Sequence, residues 1–354
     1  MESRRVQKVG YSSLAVTLPR DWTEEVKLAR GDIVLFSRED DGSLRIIPAS
    51  IIKEEKEINE VLINTNLCSD PKMLERLIVG NYILSRDTIR IVGDPRIPGD
   101  HVNRAREISR KLIGLSLIEE TPNQIILQCS VDPTKFPVNI LLRRLYIIAS
   151  LMLREALEAL DREDLNLAHE AIRREEDADM VYWLTLRLLL TSQVNKVIAD
   201  KMGLKDPLRI MGMRIIARFV EAMADCGEAI ALNVVKLKEV EGELKRSLVD
   251  GLLKIGRATY DLCYKAMEAF FTNNVKLANE AIDSFENRIE AEAEQLAGEI
   301  LEAAIKKHTA VFMMDILGNL RRIGRLGKEI AEIAINQFLI KSSEICQTFG
   351  TSKV

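Results

Sequence analysis

The C-terminal part of the sequence repeats itself, and this repeat limits the possible folds more than any other feature. Between about residues 138 and 347 the hydrophobic spacing predicts six long amphipathic helices, with breaks near residues 161–164, 200–207, 242, 272–274 and 308. Two motifs recur in the same order in both halves: LAHEAI at 167–172 with LANEAI at 277–282, and Gly-x-x-Ile-Ala starting at Gly227 and at Gly327. The pattern predicts two copies of one three-helix unit, residues 138–240 and 243–347.

Aligning the two copies places acidic residues on a core-facing helix stripe. In the second copy this stripe is fully apolar: Ala278, Ile282, Phe285, Ile289, Ala293, Leu296 and Ile300. In the first copy Glu175 and Asp179 occupy the positions of Phe285 and Ile289. The neighbouring acids Glu176 and Asp177 are predicted to point into solvent.

A second acid pair, Glu221 and Asp225, lies at i,i+4 spacing on the third helix of the same copy, among small residues that allow close helix approach. Carboxylates on a packed face are costly without compensation. Helical bundles hold metal ions between such carboxylates, and oxygen ligands suit hard cations. The two pairs predict a cation site, and the alternative is that solvent or arginines such as Arg214 and Arg218 compensate them.

These helices resemble the PhoU family of phosphate-uptake regulators, which is built from two tandem three-helix units. The resemblance rests on the repeat, on Glu175-x-x-x-Asp179 and on Glu221-Ala-Met-Ala-Asp225. It implies a regulator of phosphate homeostasis whose bundle binds a divalent or ferric ion (Fe, Zn, Mn, Mg or Ca) through Glu175, Asp179, Glu221 and Asp225. It also implies a phosphate transporter subunit or a signalling protein as partner.

The second copy departs from this pattern. Its equivalent positions are Phe285 and Ile289 on one helix and Arg321 and Arg325 on the other, with Glu286 and Glu290 as an acid pair one residue off the stripe. The basic run RRIGRLGK, residues 321–328, predicts a solvated or inter-unit salt-bridging face. The alternative is a contact with phosphate or with an acidic partner.

The first 50 residues predict a small β domain. Short β-prone pieces at 6–9 and 14–18 flank a Gly-Tyr-Ser-Ser turn, a helix follows at 21–28, and 33–37 with 43–47 read as a hairpin around Asp40-Asp41-Gly42. This head is too small to bury a core alone, so a partner chain is expected. The order of these elements resembles the AbrB/SpoVT family of swapped-hairpin DNA-binding domains, which implies a homodimer through residues 1–50. The implied DNA-contacting residues are Arg4, Arg5, Lys8, Ser12, Ser13, Thr17 and Arg20.

Charge argues both for and against operator DNA as a partner. The whole chain has a net charge of −4, so any nucleic-acid site must be local. Within residues 1–50 eight basic and eight acidic residues balance, and only the cluster of Arg4, Arg5 and Lys8 makes one end basic. The head is therefore either a DNA-binding domain or a dimerisation clamp only.

Residues 51–135 predict a small α/β domain in the order β-α-β-α-β-β, with no glycine-rich phosphate loop. The whole chain is thus expected to be multidomain and mainly α-helical, with a β head, an α/β middle and a tandem helical tail, a combination that resembles fused regulators of the archaeal type. Five scattered cysteines, a polar N-terminus and apolar runs too short for a bilayer predict a cytoplasmic protein without membrane insertion. No histidine lies at Glu-x-x-His spacing and no nucleophile–base pair is evident, so no enzymatic activity is expected.

Overall fold

The computed structural model describes residues 3–38, 42–50, 59–204, 206–240, 245–340 and 343–347. The chain divides into two compact units, Met1–Asn59 and Glu60–Val354. The sequence-based boundaries at residues 50 and 135 stay predictions. Among the described helices, none is both long and apolar enough to cross a lipid bilayer.

The first unit contains the two hairpins that the sequence predicts. β1 (Gln7–Val9) pairs with β2 (Ser13–Ala15), and β3 (Val34–Arg38) pairs with β4 (Leu44–Pro48), both antiparallel. Between the hairpins lies helix α1 (Arg20–Glu25). It is shorter than predicted because Lys27 adopts a left-handed backbone conformation, with φ of 53°. Asp40 and Asp41 of the predicted turn lie outside the described residues.

The second unit begins with an α/β sandwich whose element order agrees with the prediction. Its elements are β5 (Glu60–Asn64), α2 (Pro71–Ile83), β6 (Thr88–Val92), α3 (Gly99–Lys111), β7 (Leu115–Thr121) and β8 (Gln124–Cys129). The strands form one mixed sheet in the order β5-β6-β8-β7, with only β5 and β6 parallel. Leu74 and Ile78 of α2 and Ile108 of α3 pack with the buried strand residues to form its core.

Long helices follow the sandwich in the described part of the second unit. They are α4 (Val138–Arg162), α5 (Leu165–Val194), the short α6 (Lys196–Lys201), α7 (Pro207–Glu239), α8 (Arg246–Thr272), α9 (Val275–Ser284), α10 (Glu290–Glu302) and α11 (Lys307–Leu339). A π-helical turn, Phe285–Ile289, joins α9 to α10 into one long helix. Six long helices are thus present among the described residues, as predicted. The last break, predicted near residue 308, lies at 303–306, and α11 begins at Lys307.

The repeated glycines mark equivalent close helix contacts in the two copies. A Cβ atom at Gly227 would lie 3.1 Å from the Cβ of Met152, and one at Gly327 would lie 2.4 Å from Cδ2 of Leu262. Only a residue without a side chain allows α7 to approach α4, and α11 to approach α8, this closely. One apolar core runs through both copies.

Helix α5 connects the bundle to the α/β sandwich. The guanidinium of Arg187 is buried and donates hydrogen bonds to the carbonyl oxygens of Tyr82 (2.6 Å) and Arg86 (3.1 Å), at the C-terminal end of α2. A cation at this position also opposes the negative end of the helix dipole. Trp183, one turn earlier on α5, packs against the core of the sandwich.

Candidate metal centre

The four predicted carboxylates come together between two helices of the first copy. Glu175 and Asp179 lie on α5, Glu221 and Asp225 lie on α7, and the two helices pack against each other. All four side chains are half-buried. The neighbouring buried residues are small, namely Ala178, Ala222, Ala224 and Gly227. Small residues allow the two acidic faces to approach each other.

Burial and mutual repulsion make these carboxylates hard to ionise. Burial, together with the charges of Glu175, Glu221 and Asp225, raises the pKa of Asp179 to about 7. Burial and the charge of Asp225 raise the pKa of Glu221 to about 7, against the opposing effect of Arg218. The pKa values of Glu175 and Asp225 are raised for the same primary reason, their burial.

A fifth carboxylate, Glu228, belongs to this cluster and was missed by the sequence analysis. Burial raises its pKa, and the charges of Glu175 and Asp225 raise it further. Glu228 lies seven residues after Glu221 and three after Asp225, so it shares their helix face. Extending the i,i+4 pair by one more helical turn would have identified it.

Cations from three different elements reach the edge of the cluster. Arg218 of α7 contacts Glu221. Lys111, at the end of α3, forms an ion pair of 2.7 Å with Glu176 and partly offsets the rise in the pKa of Glu175. Arg322 of α11 partly offsets the rise in the pKa of Asp225. Glu176 and Asp177 are exposed, as predicted, and Glu176 also pairs with Lys111.

The chemistry of these side chains fits a hard cation, but their orientation does not present a finished coordination shell. The cluster supplies only carboxylate oxygens, which are the ligands that Mg²⁺, Mn²⁺ and Ca²⁺ prefer. Among the described residues, no three His, Cys, Asp or Glu side chains are oriented so that they could hold one ion.

The second copy has no equivalent cluster at the same positions. Phe285 and Ile289 are buried, as the stripe predicts. Glu290 contacts Arg321 and lies 3.8 Å from Arg325, and Glu286 forms an ion pair of 2.6 Å with Lys328. The basic run is therefore a salt-bridging face, as predicted, but these pairs lie within the second copy and not between the two copies.

All seven predicted DNA-contacting residues are exposed in the head. Arg4, Arg5 and Lys8 lie on or just before β1, Ser12 and Ser13 lie at the first turn and at β2, and Thr17 precedes α1. Arg20 begins α1 and forms an exposed ion pair with Glu24 at 2.8 Å. The exposure leaves these residues accessible to a partner.

Family models match the N-terminal head and both copies of the three-helix unit. Residues 142–234 and 252–334 match the model of the PhoU domain, once in each three-helix copy. Residues 7–54 match the model described as antidote-toxin recognition MazE, bacterial antitoxin. No curated protein matches the sequence significantly.

A solved structure has a fold similar to part of this chain. PhoU from Pseudomonas aeruginosa superposes with a TM-score of 0.50 at 17% identity, covering 58% of this chain and 96% of that chain. The phosphate transport system regulatory protein PhoU from Streptococcus pneumoniae has a TM-score of 0.48 at 18% identity, covering 59% of this chain and 98% of that chain. The chain is a PhoU-domain protein with two copies of the domain and an N-terminal domain of the MazE/AbrB antitoxin type.

The raised pKa values predict that the metal-free protein loses stability as the pH rises. In the unfolded chain Asp179 and Glu221 ionise near pH 4, whereas in the folded chain they ionise near pH 7. Between these values the folded chain holds more protons, so stability falls as the pH rises and the fall is complete above about pH 7. After discounting for solvent screening, we expect the free energy of unfolding in EDTA to drop by roughly 1–2 kcal/mol from pH 5 to 8.

Urea denaturation at several pH values checks this expectation. Asp179→Asn removes one of the competing charges and should flatten the pH dependence. Asp177→Asn is the matched control, because Asp177 lies on the same helix but is exposed. A pH dependence that is identical in the wild type and in Asp179→Asn would contradict the interpretation.

Proposed function

We propose that this PhoU-domain protein regulates phosphate uptake, with a metal-binding bundle and a DNA-binding head. The observation that carries the proposal is the half-buried carboxylate cluster between α5 and α7, in a chain with two PhoU domains. A solved structure of similar fold, from Pseudomonas aeruginosa, bears the name PhoU. The proposed role is regulatory rather than enzymatic, in the cytoplasm, as part of a fused regulator of archaeal type.

The metal proposal rests on the electrostatics of the cluster. Neighbouring carboxylates raise the pKa values of Glu175, Asp179 and Glu221, and Asp225 contributes to all three. A bound cation would relieve the negative potential that they create. Glu175, Asp179, Glu221 and Asp225 would hold the ion, and the ion would supply the positive charge that joins α5 to α7. A divalent or ferric ion fits this role, and carboxylate ligands alone do not select among Fe, Zn, Mn, Mg and Ca.

Substitution of one carboxylate on each helix tests the metal site. Asp179→Asn/Asp225→Asn keeps the shape of the side chains but removes two charges, and we expect metal affinity to fall at least about tenfold. Metal content after loading and dialysis, measured by atomic emission, is the readout. Asp177→Asn should bind as much metal as the wild type. A double variant that keeps its metal would rule the site out.

The head exposes many apolar side chains. Five apolar side chains in or next to its strands are largely exposed: Val6 64%, Leu14 73%, Ile33 69%, Phe36 61% and Leu44 59%. So many apolar side chains on so few residues indicate a missing partner surface. We propose that a second copy of the chain covers it, because the matching AbrB-like domains pair through interleaved hairpins.

Light scattering during size-exclusion chromatography tests the dimer. The wild-type chain should elute with twice the mass of one chain. Phe36→Asp places a charge on the apolar surface and should shift the mass to that of a monomer, because burying an unpaired charge costs several kcal/mol. Ser37→Asp, the neighbouring exposed residue on β3, is the control and should remain dimeric.

The proposed DNA contact is the basic end of the head. Arg4, Arg5 and Lys8 lie within five residues, and a dimer would double this cluster. Ser12, Ser13, Thr17 and Arg20 add exposed donors around the first hairpin. Contacts of this kind bind phosphates and give an affinity that falls steeply with salt concentration.

A titration with operator candidates tests the DNA proposal. Duplexes from upstream of phosphate-transport genes and of the protein's own gene would be compared with random duplex at several salt concentrations. We expect tighter binding to one duplex, and loss of it in Arg4→Ala/Arg5→Ala/Lys8→Ala, with a salt slope lower by about 0.9 for each lost phosphate contact. Arg30→Ala/Arg38→Ala is a control for general loss of positive charge.

A second function, a phosphate-signalling adaptor without DNA binding, is favoured by the balanced charge of the head. Eight acidic residues offset its eight basic ones, and Glu24 already pairs with Arg20. In that case the head only dimerises, and the bundle contacts a transporter subunit or a signalling protein. Weak binding that is equal for all duplexes and vanishes at physiological salt would favour the adaptor.

A further inference from the structure

The two PhoU copies differ by a reversal of charge on the third helix of each copy. The shared glycines, Gly227 and Gly327, align α7 with α11 at a constant offset. At this offset the three carboxylates of the first copy are replaced by cations: Glu221 by Arg321, Asp225 by Arg325 and Glu228 by Lys328. A metal site between carboxylates cannot exist at these positions of the second copy, because its α11 face is positive.

The partner helix of the second copy is also changed. Phe285 and Ile289 stand where the first copy has Glu175 and Asp179, and both are buried. The ring of Phe285 lies against α11, so that a Cβ atom at Gly324 would be 3.1 Å from it. The apolar ring fills the space that an ion would occupy at the positions equivalent to the first-copy cluster.

In the second copy, Glu286 and Glu290 each lie one residue after Phe285 and Ile289. Cationic side chains of α11 pair with them. The ammonium of Lys328 is 2.6 Å from Glu286 and 3.6 Å from Glu332. Glu290 is held by Arg321 and approached by Arg325 at 3.8 Å. Glu290 is about a quarter exposed, so these contacts are only partly screened by water. The pairs join the helix formed by the π turn and α10 to α11.

We infer that Arg321, Arg325 and Lys328 are built-in cations that replace a metal ion in the second copy. The inference rests on the proposed metal function of the first copy and makes the two copies unequal. In the first copy, joining α5 to α7 depends on an external ion. In the second copy, the equivalent helices are joined by three permanent charges whatever the metal concentration.

The inference leads to a simple expectation for metal loading. Manganese bound by the wild-type chain should depend on the first copy alone. Glu286→Gln/Glu290→Gln should therefore leave the manganese content unchanged, whereas Asp179→Asn/Asp225→Asn should remove it. Loss of manganese in the Glu286/Glu290 variant would overturn the inference.

Removing the built-in cations tests the replacement directly. In the full-length variant Arg321→Gln/Arg325→Gln/Lys328→Gln, the carboxylates of Glu286, Glu290 and Glu332 lose their partners. This variant should have a lower melting temperature in EDTA than the wild type. It should also gain roughly one manganese ion per chain and recover melting temperature when manganese is added. Lys276→Gln/Lys306→Gln/Lys307→Gln removes three exposed charges from the same copy and should gain neither.

The outcomes separate this inference from the proposed function. A wild-type chain that binds no manganese would contradict the metal function of the first copy, while the charge-stripped variant would still be expected to gain manganese. A charge-stripped variant that folds and gains none would overturn the inference. If that variant does not fold, the manganese content of Glu286→Gln/Glu290→Gln, compared with that of Asp179→Asn/Asp225→Asn, still tests the inference.

Discussion

Repulsion among half-buried carboxylates is the constraint on which the first three-helix unit depends. Glu175, Asp179, Glu221 and Asp225 lie where the second copy packs apolar or oppositely charged residues, and their raised pKa values record the cost. Such a cluster persists in a folded protein only if protons or cations reduce its charge. Among the described residues, Arg218, Lys111 and Arg322 act on carboxylates of the cluster, and the pKa values stay raised despite these cations.

The acid cluster and the α/β sandwich share one helix. Glu175 and Asp179 lie on α5 two to three turns before Arg187, whose buried guanidinium holds the C-terminal end of α2. Lys111 of α3 pairs with Glu176, next to the cluster. Helix α5 therefore connects the carboxylate cluster to the sandwich. The ion pair between Lys111 and Glu176 is a second connection between them.

Much of the fold followed from periodicity. The apolar spacing predicted six long helices, the echoed glycines predicted the repeat, and alternation with turn residues predicted the strands of the sandwich and the hairpins of the head. These patterns are local, so a sequence contains them without reference to distant residues. The spacing did not fix the helix end near Lys27 or the exact bounds of the break at 303–306, because backbone conformation at such points depends on packing that the spacing does not express.

The sequence by itself determined which faces of the helices carry acids, and aligning the two copies was enough to place Glu175 and Asp179 on the core-facing stripe. The tertiary structure decided which charges meet. Lys111 and Arg322 reach the acid cluster from residues far along the chain, and Lys328 meets Glu286 across two helices. Electrostatic energy depends on distance in space, and only the folded chain fixes the distances between residues that are far apart in sequence.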